Sequence, residues 1–385
     1  MHIGFLTPEY PHKRVTHAAG IGTSIKNLVV ALAQKKIKVS VFVYGQQEDS
    51  VFSEEGITIH LIKNRKYKFM GWYFHRKYLQ NYLNTKILTE KIDIIEAPDW
   101  TGITAFMRLK ALLVIRLHGS DTYFCHLEKR RQKLKNFWFE KLAIQKATAL
   151  IAPTTFAGKL SKELFGITKK KIQTIHYGLE LNKFENSNPE NYEKGLLLYI
   201  GTIIRKKGVL ELPAIFKLVV QQHPYAKLIL IGGDSYDIST QSLSTWELVR
   251  NELDKEILDQ VTYLGKIPYQ EIQTYMERAH ICVFPTFAET LGMVTIESMA
   301  LQKPVVNSNI GWAQELLVDG ESGSLVYPKD HQEYAEKINV FLENETLCQQ
   351  TGKKARERVE QVFDIEKIVI ENICFYEEIM KLDND

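Results

Sequence analysis

The 385-residue chain carries 45% apolar and 25% charged residues, a balance that excludes a disordered or fibrous protein and suits two domains of ordinary size. No apolar run approaches the roughly 20 residues of a membrane-spanning helix, and the scattered Cys125, Cys282, Cys348 and Cys374 form no CxxC or Cys/His cluster, which speaks against disulfides and structural zinc. The net charge of +3 is unevenly placed, with 30 Lys+Arg against 15 Asp+Glu in residues 1–185 and 19 against 31 beyond, so the first half either faces something anionic or is a solvated basic surface.

Met1–Thr7 (MHIGFLT) lacks the basic and long apolar regions of a signal peptide and reads as a first buried strand, in keeping with a cytoplasmic protein. Further strands are predicted at Val39–Tyr44, Ile57–Ile62, Ile92–Glu96, Leu112–Leu117, Ala149–Ala152 and Ile172–Ile175. Stretches with helical apolar spacing, such as Ile21–Gln34 and Phe137–Ala147, lie between them. This alternation predicts βαβ units and a parallel sheet. The polar stretch Glu185–Lys194 (ENSNPENYEK) is the natural linker. Strands then resume at Leu196–Ile200, Ala226–Ile231, Val261–Leu264, Ile281–Phe284, Pro304–Asn307 and Ser324–Val326, and a helix-rich tail starts near Asp330. The expected architecture is α/β: two doubly wound, Rossmann-like domains facing across a cleft, 1–185 and 186–364, with a terminal helix of about 365–385. Ligands of such sheets bind beyond the carboxyl ends of the strands.

Four segments fall at those ends. Ala19-Gly20-Ile21-Gly22-Thr23-Ser24 opens a helix after the first strand, where unpaired N–H groups and the helix dipole favour an anion; a tight strand-to-helix turn is the plainer reading. Arg205-Lys206-Lys207-Gly208 follows another strand, and its cations suit a diphosphate, unless they form an exposed basic loop. In Pro285–Glu297 (PTFAETLGMVTIE), Glu289 stands before a helix and Glu297 about a turn inside it, with the Leu291, Gly292, Met293 and Val294 backbone between them as a second anion cradle. These glutamates suit sugar and ribose hydroxyls. Alternatively Glu289 is a charge at a helix N-terminus and Glu297 a surface residue. His118, in Arg116-Leu117-His118-Gly119-Ser120-Asp121, either reaches into a cleft or is a satisfied structural histidine.

Together these segments resemble glycosyltransferase family 4, the retaining family of GT-B fold, nearly end to end. The Glu289…Glu297 segment within PTFAETLGMVTIESMALQKPVV is the most diagnostic, followed by RKKG, HGSD, HYGLE from His176, and NIGWAQELLVDGESGSLVYPKD from Asn309. The family's paired glycines read Ala19-Gly20 here, and its glycine-arginine pair after the first strand of the second domain reads Gly201-Thr202, which leaves Arg205 to do that arginine's work. The resemblance implies that Arg205 and Lys207 hold the diphosphate, with Lys206 beside them and Gly20 and Gly22 meeting it from the other domain. Glu297 then binds the ribose, Glu289 positions the transferred sugar, Leu291–Val294 contact sugar and phosphate, and His118 lies on the acceptor side. It also implies a nucleotide-diphosphate sugar as co-substrate, no cofactor, no metal and retention of anomeric configuration. The acceptor would be a sugar or lipid-linked hydroxyl, in polysaccharide or glycolipid synthesis.

Two stretches interleave cations with aromatic rings, residues 63–78 (KNRKYKFMGWYFHRKY) and 129–139 (KRRQKLKNFWF). Such stretches suit the inner face of an anionic membrane; an acceptor groove or solvated helices are the alternatives. A nucleotide-sugar epimerase of the same fold and a non-catalytic two-lobed binding protein are rival functions. A nucleic-acid binder would leave Glu289 and Glu297 unexplained.

Overall fold

The apolar runs become the inner strands of two parallel sheets in the computed structural model, which describes residues 1–16 and 20–382. The chain forms two units, Met1–Glu180 with the segment from Asp364 onward, and Leu181–Phe363.

In the first unit the elements run β1 (His2–Thr7), α1 (Gly20–Gln34), β2 (Lys38–Gln46), β3 (Ser50–Glu54), β4 (Ile57–Lys63), α2 (Gly71–Glu90), β5 (Ile94–Pro98), β6 (Leu112–Arg116), α3 (Asp121–Leu127), α4 (Leu134–Lys146), β7 (Ala149–Ala152), α5 (Thr155–Phe165) and β8 (Ile172–Thr174). The sheet order is β3-β4-β2-β1-β5-β6-β7-β8, parallel throughout except for β3 against β4. Every residue of β1 and β5 is buried, as strands covered on both faces must be, and both are mainly apolar, Glu96 being the one charged residue. Strand β3 was not expected from the sequence. It is a short edge strand, paired with β4 through a two-residue turn in which Glu55 and Gly56 both take positive φ (52° and 78°).

The second unit contains β9 (Leu196–Ile200), α6 (Leu212–Gln222), β10 (Lys227–Ile231), α7 (Thr245–Glu252), β11 (Val261–Tyr263), α8 (Tyr269–Arg278), β12 (Ile281–Phe284), α9 (Met293–Ala300), β13 (Val305–Ser308), β14 (Ser324–Val326), α10 (His331–Glu343) and α11 (Glu345–Val362). Its sheet order, β11-β10-β9-β12-β13-β14, is parallel throughout. The direction of winding reverses between β9 and β12, so the loops leaving those strands open a crevice at their carboxyl ends. The corresponding reversal in the first unit lies between β1 and β5.

The last helix, α12 (Ile365–Leu382), belongs to the first unit. Ile365, Ile368, Val369, Phe375, Tyr376 and Ile379 recur at helical spacing and enter the core built by α1 and the strands β1, β2 and β4. Among the described residues no helix is long and apolar enough to cross a membrane.

Candidate functional site

Strand β9 delivers the chain into a single 3-10 turn, Arg205–Lys207, closed by Gly208 in the left-handed region (φ 71°). A Cβ on Gly208 would lie 1.7 Å from the carbonyl oxygen of Pro285, so only glycine lets this turn rest on the loop leaving β12. The Lys206 carbonyl completes the junction by accepting from the Phe287 and Ala288 amides at 2.9 and 3.2 Å. The two loops at the switch point are therefore one structure.

That junction brings Lys207 onto Glu289. The ammonium donates to Oε1, and both side chains are about four-fifths buried. Burial raises the Glu289 carboxyl, but Lys207, then Lys206 and the Thr290 amide, more than offset it, and the carboxyl stays below its ordinary range. Lys207 thus presents a positioned cation at the crevice, and Glu289 is its counter-ion.

Arg205 is fixed differently. Its Nε and Nη2 donate to the two oxygens of Asp237 at 2.9 and 2.8 Å. Asp237 is only 2% exposed and also accepts from the Thr240 amide and hydroxyl at 3.0 and 2.7 Å. The Arg205 bonds hold its carboxyl far below the usual range. The guanidinium is held by two of its five N–H groups and the Arg205 side chain is 43% exposed, which leaves a further donor edge for a ligand.

Glu297 is not a surface residue. It is 4% exposed in α9, and its Oε1 accepts from the Tyr269 hydroxyl at 2.6 Å. Burial pushes this carboxyl up to about 7 against the opposing pull of the Tyr269 bond. Helix α9 starts at Gly292 in a left-handed conformation (φ 103°) with no side-chain cap, next to buried Leu291 and half-buried Met293 and Val294. Its first amides keep the character of an anion cradle. Lys207 and Glu289 therefore meet directly, whereas Arg205 and Glu297 are tied to Asp237 and Tyr269, two residues outside every sequence motif.

In the first unit, Ala19 lies outside the described residues. Gly20 is exposed, with open space around it. The Gly22 amide donates to the buried Glu9 carboxylate at 2.8 Å, so at this position the α1 N-terminus already holds an anion of the chain itself. Gly22 also packs on the backbone of Glu9 and Tyr10, where a Cβ would come within 3.2 Å.

His118 follows β6 and is buried. Its Nδ1 is 2.7 Å from the Tyr177 hydroxyl, and the two rings stack at 5.5 Å. Burial, and then the Arg116 charge, lower its pKa to about 3, so the ring is neutral. Arg116 forms a bidentate pair with Glu96 at 2.7 and 3.0 Å and donates to Asn372 Oδ1 at 2.6 Å, while the Tyr376 hydroxyl donates to Glu96. Helix α12 thereby anchors the strand that carries His118. Ser24, His118, His176, Tyr177 and Asn372 line a small cavity beside that anchor.

Two families match the chain in succession, Glycosyltransferase Family 4 over residues 18–183 and Glycosyl transferases group 1 over residues 182–358. The chain is a glycosyltransferase of the family 4 type. Among curated relatives, the capsular polysaccharide biosynthesis glycosyltransferase CapM of Staphylococcus aureus is 29% identical over 64% of this chain and 65% of its own length. An uncharacterized glycosyltransferase of Methanocaldococcus jannaschii is 26% identical over 94% of this glycosyltransferase and 95% of that protein. Among solved structures, sucrose-phosphate synthase from Thermosynechococcus elongatus superposes with a TM-score of 0.82 at 21% identity, covering 99% of both chains. Anabaena HepE, in complex with UDP and glucose, superposes with a TM-score of 0.73 at 18% identity, covering 98% of this chain and 100% of that one. The fold of this glycosyltransferase is GT-B, with two Rossmann-like domains.

Proposed function

We propose that the chain is a retaining glycosyltransferase that uses a nucleotide-diphosphate sugar and passes the sugar to a hydroxyl acceptor in cell-surface polysaccharide or glycolipid synthesis. The observation that carries this reading is the Lys207–Glu289 pair, joined across the two loops at the switch point of the second sheet. Breaking the sugar–phosphate bond builds negative charge on the departing diphosphate and oxocarbenium-like charge on the sugar. A positioned cation answers the first and a buried carboxylate the second, with little reorganisation during the reaction. Lys207 and the outer edge of Arg205 take the diphosphate, the first amides of α9 take phosphate or sugar oxygens, and Glu297 takes the ribose hydroxyls. The acceptor oxygen forms its bond to the anomeric carbon on the face the diphosphate leaves. Its proton passes to the departing phosphate oxygen. The solved complex of HepE with UDP and glucose and the name of CapM support the choice of donor class and product class.

A thermal-shift screen against UDP, GDP and ADP tests the donor site, since a nucleotide that binds the folded state raises its melting temperature by mass action. One of the three is expected to do so, and its sugar to be transferred with the anomeric configuration kept. A chain that ignores all three nucleotides refutes the reading.

We also infer that this enzyme works against an anionic membrane. Residues 63–78 and 129–139, far apart in sequence, share one face of the first unit: Trp72 packs on Phe139 at 4.9 Å, and the Lys135 ammonium lies 5.5 Å from both rings. Phe69, Met70, Phe74, Leu134 and Trp138 are exposed on these segments among Lys and Arg side chains.

A further inference from the structure

The opposite, N-terminal ends of the strands in the second unit hold a separate cavity of about 280 Å3. His280 stands directly before β12 and Lys303 shortly before β13. Pro189–Tyr192 and the early turns of α11 close the cavity. Because the sheet is parallel, this end lies away from Lys207 and Glu289, and the donor reading gives it no task.

The cavity wall contains two buried donors with nothing to donate to. Lys303 is 1% exposed and its ammonium has no hydrogen-bond partner among the described residues. His280 is equally buried. Its Nδ1 accepts from the Gly195 amide at 3.3 Å, so the proton sits on Nε2, which also lacks a partner among the described residues. Tyr192 stacks flat on the His280 ring at 4.2 Å, and the Lys303 ammonium lies 5.6 Å from the Tyr192 ring centre. An unsatisfied buried donor is costly, and both of these residues line the same cavity. The rim adds Lys353 against the single carboxylate of Glu190, so the acceptor that fits is negative. Gln302 and Gln349 bring amides suited to hydroxyl groups. The backbone here is set firmly, since a Cβ on Gly352 would lie 2.2 Å from the Gln302 carbonyl oxygen.

We propose that this cavity is a binding site for a small phosphorylated sugar, whose oxyanion accepts from the Lys303 ammonium and His280 Nε2–H while its ring lies against Tyr192 and the glutamine amides. Titration calorimetry on the full chain tests this with a hexose phosphate, inorganic phosphate and the neutral hexose, using wild type, Lys303→Met, His280→Phe and Lys207→Ala. The hexose phosphate is expected to bind wild type and Lys207→Ala alike, and to bind Lys303→Met and His280→Phe at least about tenfold more weakly. The second variant keeps the stack on Tyr192 and stands in if the first does not fold. Inorganic phosphate that shows the same pattern supports the oxyanion site. Binding of the neutral hexose as tight as that of its phosphate overturns the proposal, as does equal phosphate binding in wild type and both pocket variants. Binding lost in Lys207→Ala assigns the anion to the donor crevice and overturns it too. None of these outcomes depends on which nucleotide the donor carries.

Discussion

Lys207 and Glu289 neutralise one another in the structure, and the proposed reaction requires each of them where charge develops. Lys207→Ala removes the cation while the Lys206 carbonyl bonds that hold the loops remain, because they belong to the backbone. Turnover in this variant is expected to fall by about 10²–10³-fold, with some loss of stability because Glu289 is left without its counter-ion. Glu289→Gln, which keeps shape and loses charge, is expected to show a comparable loss. Steady-state kinetics alongside calorimetry checks both, and full turnover in either refutes the assignment. Glu297 makes a different prediction. Its carboxyl is raised by burial to about 7, while in the unfolded chain it ionises near its ordinary value of 4.5. Between those values the unfolded state has released a proton that the folded state still holds, so rising pH costs stability across this window. Glu297→Gln removes that cost. The melting temperature of the variant relative to wild type is expected to climb from about pH 5 to about pH 8 and then level off; a constant difference contradicts the buried carboxyl. Sequence alone marked Glu289 and Glu297 because they sit at fixed places around a strand-to-helix turn. It did not reveal Asp237 or Tyr269, since these reach Arg205 and Glu297 from 32 and 28 positions away, through tertiary packing that no local pattern encodes.

At the level of elements, the site is made by the fit of two loops. Gly208 is the point of contact, with a positive φ and a Pro285 oxygen where a side chain would begin. Gly208→Ala must open the junction between the Lys206 carbonyl and the Phe287 and Ala288 amides. The variant is expected to lose about 2–4 kcal/mol of stability to denaturant. Its turnover should fall with the drift of Lys207 from Glu289, although residue 208 carries no group for the substrate. Denaturant unfolding together with kinetics measures both, and a stable, active variant contradicts the described junction. The strands β9, β12 and β14 were legible to the residue because they are short apolar runs bounded by turn residues, and the alternation with helices announced the parallel sheets. Strand β3 was not, because Ser50–Glu54 is a short edge segment of mixed side chains, and what makes it a strand is the turn at Glu55-Gly56 and the pairing with β4. Gly22 shows the same limit. Its residue type suggested room for a ligand, and the structure uses the room for Glu9.

For the whole molecule the deciding quantity is charge distribution. Residues 1–185 hold twice as many basic as acidic side chains, while the remainder is acidic. A net positive unit would be attracted to any anionic surface within about a Debye length, and attraction alone is abolished by salt. The face shared by residues 63–78 and 129–139 adds a second component, since Phe69 is 81% and Trp138 54% exposed and each can enter the headgroup region. With roughly 1 kcal/mol for each Lys or Arg near an anionic leaflet, the lysines at 66, 68, 133 and 135 would supply enough to hold the protein at such a surface in the proposed docking, with the rings setting its orientation. Flotation with phosphatidylglycerol vesicles is therefore expected to carry the wild type at low salt, and phosphatidylcholine vesicles to leave it behind. Replacing Phe69 and Trp138 by serine should weaken flotation while leaving transfer to a soluble acceptor unchanged. Replacing the four lysines by glutamine should abolish flotation. The two sets of variants separate the aromatic from the electrostatic contribution, and a wild type that fails to float with anionic vesicles at low salt rules out the docking face.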